Sequence, residues 1–233
     1  EAFAGAVGGE FSGAASMKLH FDDEAGHSLS ARKFWAAEGD LVVCLTGDLQ
    51  THHVHQPVRT AMDQCRLRGP VTVGEPVGSP QQLVAGNYDA LPVKWVFHDG
   101  LAYIPLAGEP VSLRLGPVTG SWREVDRNAS PEPVTLPVFL PVLEEGDAPQ
   151  GRSGGFVMAA CATPGQAAEI AAHPAWRILR NDGDCQAVLF EDQTLMASFY
   201  VPTQLNGGGQ FHLSASQPCL VWLHGTKLRV CDP

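Results

Sequence analysis

His98 and Asp99 stand side by side ahead of Gly100, and an imidazole beside a carboxylate is a pairing that general-base catalysis uses. The spacing argues against that use. Neighbouring residues on a strand point to opposite faces, and Asp-Gly is turn chemistry, so a hairpin is the expected role. His52, His53 and His55 contain an H-x-H pair that could ligate zinc from one strand face. No third ligand is suggested nearby, so a solvated histidine run is expected instead. Asn181, Asp182 and Asp184 carry calcium-type oxygens without the spacing of a calcium loop, which points to a turn. His20, His27, His173, His212 and His224 are isolated and read as structural.

Two other clusters bring cations to aromatic rings: Arg32 and Lys33 beside Phe34 and Trp35, and Trp122 beside Arg123. A ring stacks on a pyranose and a guanidinium forks a carboxylate, so an anionic sugar surface uses such pairs. Each also fits a strand with its aromatic inside and its cation outside. Arg32, Trp122 and Arg123 are the candidate substrate-binding residues. No catalytic set and no metal-ligand set assembles, and no cofactor is called for.

The elements that position these residues are strands. The 233-residue chain is 17% charged and holds 25 Gly and 18 Pro, a turn-rich composition suited to many short strands. Its formal charge of −10 argues against nucleic-acid binding, which needs clustered Lys and Arg, although an acidic average can hide a local basic groove. No apolar run approaches a membrane span. No signal-peptide pattern is present and the chain opens at Glu1 rather than Met, so a preceding segment is expected. The six cysteines are widely spaced with no CxxC, which signals neither zinc nor redox chemistry and leaves any disulfide pairing open.

Strands are expected over Asp40–Leu45, Val58–Leu67, Val93–Phe97, Leu101–Pro105, Val111–Leu115, Val134–Leu143 and Phe156–Cys161. Further strands are expected over Ala187–Phe190, Leu195–Val201, Gln210–Ser214, Cys219–Leu223 and Lys227–Val230. Pro137 and Pro141 predict that Val134–Leu143 lies at an edge or carries a bulge. The polar stretch Glu144–Gly155 reads as a long hairpin connection. One helix is expected, with Thr163 as N-cap, Pro164 at its first position, Gln166 completing a capping box and Pro174 beyond its end. The best boundary falls near that helix, giving units 1–173 and 174–233. Trp35 and Trp95, in strand-like apolar settings, are expected inside the larger sandwich.

Seven segments resemble polysaccharide lyase family 8 in order. They are the glycine-rich Phe3–Met17, Leu29–Leu45, Val58–Leu67, the hairpin Trp95–Tyr103, Thr119–Trp122, Asn181–Val188, and Pro218–Val221 with Asp232-Pro233. The resemblance spans nearly the whole chain. It implies an all-β fold: a large antiparallel β-sandwich of supersandwich type, then a small C-terminal β-sandwich, with one short helix between. It also implies eliminative cleavage of an acidic, uronate-containing polysaccharide without a cofactor, in a secreted or periplasmic setting. The family's catalytic Asn, His, Tyr and Arg belong to a helical α/α toroid. Neither these nor the assisting Glu near the start of the β region maps onto this sequence. The family's C-terminal domain also usually continues past the Asp-Pro at which this sequence ends. The chain is therefore expected to be a fragment, one chain of a nicked enzyme or a degenerate relative, with the toroid as its partner.

Overall fold

The computed structural model describes residues 3–207 and 211–233. Gln210, the expected start of one strand, lies outside them, and that strand is described over His212–Ala215. In chain order the elements are β1 (Ala4–Gly8), β2 (Ser12–Asp22), β3 (Ser28–Glu38), β4 (Leu41–His52), β5 (Pro57–Ala61), β6 (Cys65–Arg66) and β7 (Val71–Gly74). Then come β8 (Gln81–Leu83), β9 (Gly86–Leu91), β10 (Trp95–His98), β11 (Leu101–Pro105), β12 (Val111–Ser121), β13 (Pro133–Asp147) and β14 (Arg152–Ala160). After helix α1 (Pro164–Ala172) follow β15 (Trp176–Asn181), β16 (Cys185–Phe190), β17 (Leu195–Phe199), β18 (Thr203–Asn206), β19 (His212–Ala215), β20 (Cys219–His224) and β21 (Lys227–Cys231).

The architecture is layered. A nine-stranded antiparallel sheet runs β1-β2-β3-β4-β14-β11-β10-β7-β8. One face packs on a second sheet, β5-β13-β12-β9, through Val96, Tyr103, Phe156, Leu113, Leu115, Phe139 and Leu143. The other face carries Phe34, Val43, Trp95, Phe97, Ile104 and Val157 against Ala167 of α1 and Val188, Phe190, Met196 and Trp222 of a third sheet, β15-β16-β17-β20-β21. The outer side of that third sheet is closed by the β18–β19 hairpin around Leu189, Phe199 and Leu205. Every residue of β16 is consequently buried, since both its faces are covered.

The helix begins as its capping residues dictate: Gln166 N–H donates to Thr163 Oγ1 at 3.2 Å. The Gln166 side chain reaches one residue further back than in a standard box and accepts from Ala162 N–H at 2.7 Å.

Some expectations need correction. β13 is an interior strand, paired with β12 on one side and with β5 and β6 on the other. Its two prolines are tolerated because of which side they face. The Pro137 and Pro141 carbonyls both accept from the broken β5/β6 side, from Leu67 and Met62 N–H at 2.9 Å. Their N–H-less nitrogens therefore fall on that interrupted edge, and the β12 ladder stays whole. The strand's bulge lies at Glu144–Gly146, away from both prolines. The stretch Glu144–Gly155 is not a long hairpin loop. β13 runs to Asp147 and β14 starts at Arg152, so a short link crosses from one sheet to the other. Trp35 also differs from expectation. It is only half-buried, at the margin of the core between the nine-stranded and second sheets, beside Ala6, Gly8, Gly13, Ala15 and Ala37. Trp95 is buried, but on the face toward α1 and the third sheet.

Candidate functional site

His98 is built into the core. It closes β10, is buried, and stacks on Phe139 with ring centroids 4.2 Å apart. Nε2 accepts from Arg68 N–H at 3.0 Å, which leaves the proton on Nδ1, 3.9 Å from Cys65 Sγ. Burial lowers its pKa below the ordinary 6.5, so the neutral ring is the native form. Asp99, at φ 45°, turns away into the hairpin and lies 4.0 Å from Arg68. The pair is turn and core chemistry, as its adjacency predicts. Because the folded pKa is depressed, the contribution of His98 to stability is complete above the ordinary imidazole value. It is lost as pH falls below about 6.5. His98→Gln should therefore show a shallower fall in melting temperature on acidification than wild type. Parallel pH profiles for the two proteins would contradict this assignment.

The cation–aromatic pair on β3 splits across the sheet. Arg32 faces the third sheet: Nε donates to Gly183 O at 3.2 Å and the guanidinium lies 5.4 Å from the Tyr200 ring centre. Lys33 faces the other way and donates to Thr46 Oγ1 at 2.6 Å. Burial lowers the Lys33 pKa, and the nearby Glu145 carboxylate opposes that shift. Glu145 is itself buried, accepting from Thr60 Oγ1 at 2.8 Å and Arg152 Nε at 3.0 Å.

Beside Arg32 lies a buried polar network that joins the nine-stranded sheet to the third sheet. Ser16 Oγ meets Ser198 Oγ at 2.7 Å and donates to Tyr200 Oη at 2.8 Å. Tyr200 Oη donates to Gln186 Oε1 at 2.6 Å, and Gln186 Nε2 donates to Asn181 Oδ1 at 2.7 Å. Asn181 Nδ2 in turn donates to the carbonyls of Thr46 and Gly154, at 3.2 and 3.0 Å. A Cβ on Gly47 would stand 2.9 Å from Asp182 O, so the close approach of the two sheets requires glycine there. Burial pushes the Tyr200 phenol up to about 12, keeping its proton in place. Sequence reasoning missed Ser16, Ser198 and Tyr200, because isolated hydroxyls in strands carry no distinguishing pattern.

Asn181, Asp182 and Asp184 form the expected turn. Asp182 Oδ1 accepts from Asp184 and Cys185 N–H at 2.9 and 3.0 Å, and both carboxylates hold Arg180. The His52 and His53 rings touch, 3.9 Å between centroids, at the exposed end of β4. Among the described residues no group of three His, Cys, Asp or Glu is placed to hold a metal ion. All six thiols are free, and burial pushes Cys44 and Cys185 up to about 12.

Trp122 and Arg123 lie elsewhere, on a single 3-10 turn (Trp122–Glu124) at the tip of the β12–β13 hairpin. The Ser121 N–H and hydroxyl both donate to Glu124 Oε1, at 3.0 and 3.2 Å. Trp122 O accepts from Val125 and Asp126 N–H, and Arg123 N–H donates to Ser130 O at 3.1 Å. The backbone is thus held, while the indole is 64% exposed. Arg123 Nε donates to Ala129 O at 3.3 Å, and both residues are exposed. Of the three candidate residues, the structure keeps Trp122 and Arg123 together and places Arg32 at the seam on a different sheet.

The chain is 24% identical over 220 residues to chondroitinase-AC of Pedobacter heparinus, covering 94% of this chain and 30% of that protein. It is 27% identical over 204 residues to xanthan lyase of Bacillus sp. (strain GL1), covering 82% and 21%. Among solved structures, a chondroitinase AC lyase studied with bound oligosaccharides superposes with a TM-score of 0.84 at 23% identity, over 98% of this chain and 33% of that one. Paenibacillus xanthan lyase superposes at 0.81 with 20% identity, over 96% and 22%. The chain therefore spans about a third or less of each relative's length. The super-sandwich domain of polysaccharide lyase family 8 matches residues 1–171, and that family's C-terminal beta-sandwich domain matches residues 177–233. With both domains accounted for, the chain belongs to polysaccharide lyase family 8.

Proposed function

We propose that this chain is the noncatalytic β portion of a lyase that cleaves uronic-acid polysaccharides of the hyaluronan or chondroitin type by β-elimination. Its units, residues 1–173 and 174–233, brace a helical catalytic portion and wall one side of the sugar cleft. This work takes place outside the cytoplasm. Trp122 carries the proposal. A large apolar ring left exposed on a hydrogen-bonded turn, beside an arginine, fits a pyranose carboxylate better than it fits a core. Elimination needs a base for the proton α to the uronate carboxyl, an acid for the 4-oxygen and a donor to neutralise the carboxylate. The described histidines and carboxylates do not converge in that way: His98 has both nitrogens engaged in the core.

The test has two arms. Ultraviolet absorbance of the unsaturated uronate product should stay flat when this chain alone meets hyaluronan or chondroitin. Steady growth of that signal with a pure preparation would overturn the noncatalytic assignment. In affinity electrophoresis through the same polymers, Trp122→Ala should weaken retardation by about 1–2 kcal/mol, roughly a factor of five to thirty. Unchanged retardation would remove Trp122 from the sugar surface.

A further inference from the structure

Glu38 is partly buried. It ends β3, opposite Ser12 on β2, and its Oε2 is the single buried side-chain nitrogen or oxygen without a hydrogen-bond partner among the described residues. Such a group is costly to keep charged, and it calls for a reason. Its surroundings supply one. Glu38 lines a cleft of about 390 Å³ with Leu41 on its own sheet and with Ala175, Phe190, Glu191 and Asp192 from beyond the helix. The cleft is thus a section of the seam between the nine-stranded and third sheets.

Four elements face Glu38. β2 contributes Ser12, whose oxygen already accepts from Trp222 Nε1 at 2.8 Å, so its own proton is free to be given to a carboxylate. The turn between β16 and β17 contributes Glu191, Asp192 and Thr194. Thr194 Oγ1 donates to Asp192 Oδ2 at 2.7 Å, which holds that carboxylate in place at the seam. β20 contributes His224, a cation only when protonated, with Nδ1 2.8 Å from Thr194 Oγ1 and 3.6 Å from Asp192 Oδ2. The β3–β4 turn carries Asp40, exposed and separated from Glu38 by Gly39. Glu191 and Asp192 are thus the carboxylates that line the cleft with Glu38.

We propose that Glu38 is a proton-operated latch between the two β units: protonated, it closes the seam against Asp192 and the Ser12 and Thr194 hydroxyls, and ionised, it loosens it. Like charges that face each other repel, whereas a neutral carboxyl can donate to a facing carboxylate. The direction of titration agrees. Burial first, then the Asp192 charge, raises the Glu38 pKa above its ordinary 4.5. The folded form therefore holds its proton more firmly than the unfolded one. Seam stability is full in acid, and it declines as pH rises from the ordinary carboxylate value through the raised one. This sign is opposite to that of His98, which lies in the other core.

Hydrogen exchange of the intact chain, read by mass spectrometry on segments 8–16 and 188–196 and corrected for intrinsic rates, tests the latch between about pH 5 and pH 8. Protection of both segments should fall several-fold across that range in wild type and stay level in Glu38→Gln. Asp192→Asn, which removes the opposing charge instead, should level it too, and it decides the matter if Glu38→Gln does not fold. Level protection in the wild type would overturn the proposal, as would an undiminished pH dependence in whichever variant folds.

Discussion

Trp95→Ala is expected to cost about 3–5 kcal/mol of unfolding free energy, the range for removing a large buried aromatic. The residue is 4% exposed, and it packs among Phe97, Ile104 and Val157 on the sheet face that receives α1. Its indole lies directly on Gly74 of the neighbouring strand, where even a single added Cβ would overlap the ring. The cavity left by truncation is therefore walled on one side by the Gly74 backbone and cannot collapse cheaply. Gly74→Ala presses on the same ring from the other side and should also destabilise. Trp35→Ala supplies the contrast. That ring stands half-buried at the margin of a core, so its loss should cost clearly less. Urea unfolding of the three variants measures this. A Trp95→Ala midpoint close to wild type, or a larger loss for Trp35→Ala, would contradict the layer assignment.

These two tryptophans show where the sequence was legible and where it was not. Both sit in β-branched, turn-bounded runs, and local pattern placed both in strands, as observed. Which of them is covered depends on what packs over each face of the nine-stranded sheet, and no local window contains that. The helix was readable because its information is local: Thr163, Pro164 and Gln166 act within one turn. β15 was missed because Arg177 and Arg180 interrupt its apolar alternation, and a bulge between Ile178 and Arg180 shifts the register there. Pro137 and Pro141 suggested an edge because the break in the partner strand, between Ala61 and Cys65, lies some seventy residues earlier. Among the candidate residues, Trp122 and Arg123 are adjacent in sequence and stay together in space. Arg32 was grouped with them by type alone, and the fold sends it to the seam with Gly183 and Tyr200.

The seam network offers the second large effect. Ser16 and Ser198 are 182 residues apart, yet they bond in a fully buried setting where no water is at hand to replace a lost partner. Tyr200→Phe removes the donor that Gln186 Oε1 receives at 2.6 Å. Gln186→Leu removes that acceptor and also the donor to Asn181 Oδ1. Each single change should cost about 1–3 kcal/mol, the penalty for orphaning a buried polar group. Tyr200 has a secondary acceptor in Lys33 O at 3.2 Å, so Gln186→Leu is cushioned on that side and exposed on the Asn181 side. The double variant removes both members of the 2.6 Å bond together, and its cost should fall short of the summed singles by about 0.5–3 kcal/mol. Tyr200→Phe paired with His98→Gln, which shares no partner with it, should instead add to within about 0.5 kcal/mol. A double-mutant cycle in urea distinguishes these outcomes. Strict additivity for Tyr200 and Gln186 would mean that the 2.6 Å bond between them adds nothing to the network at the seam.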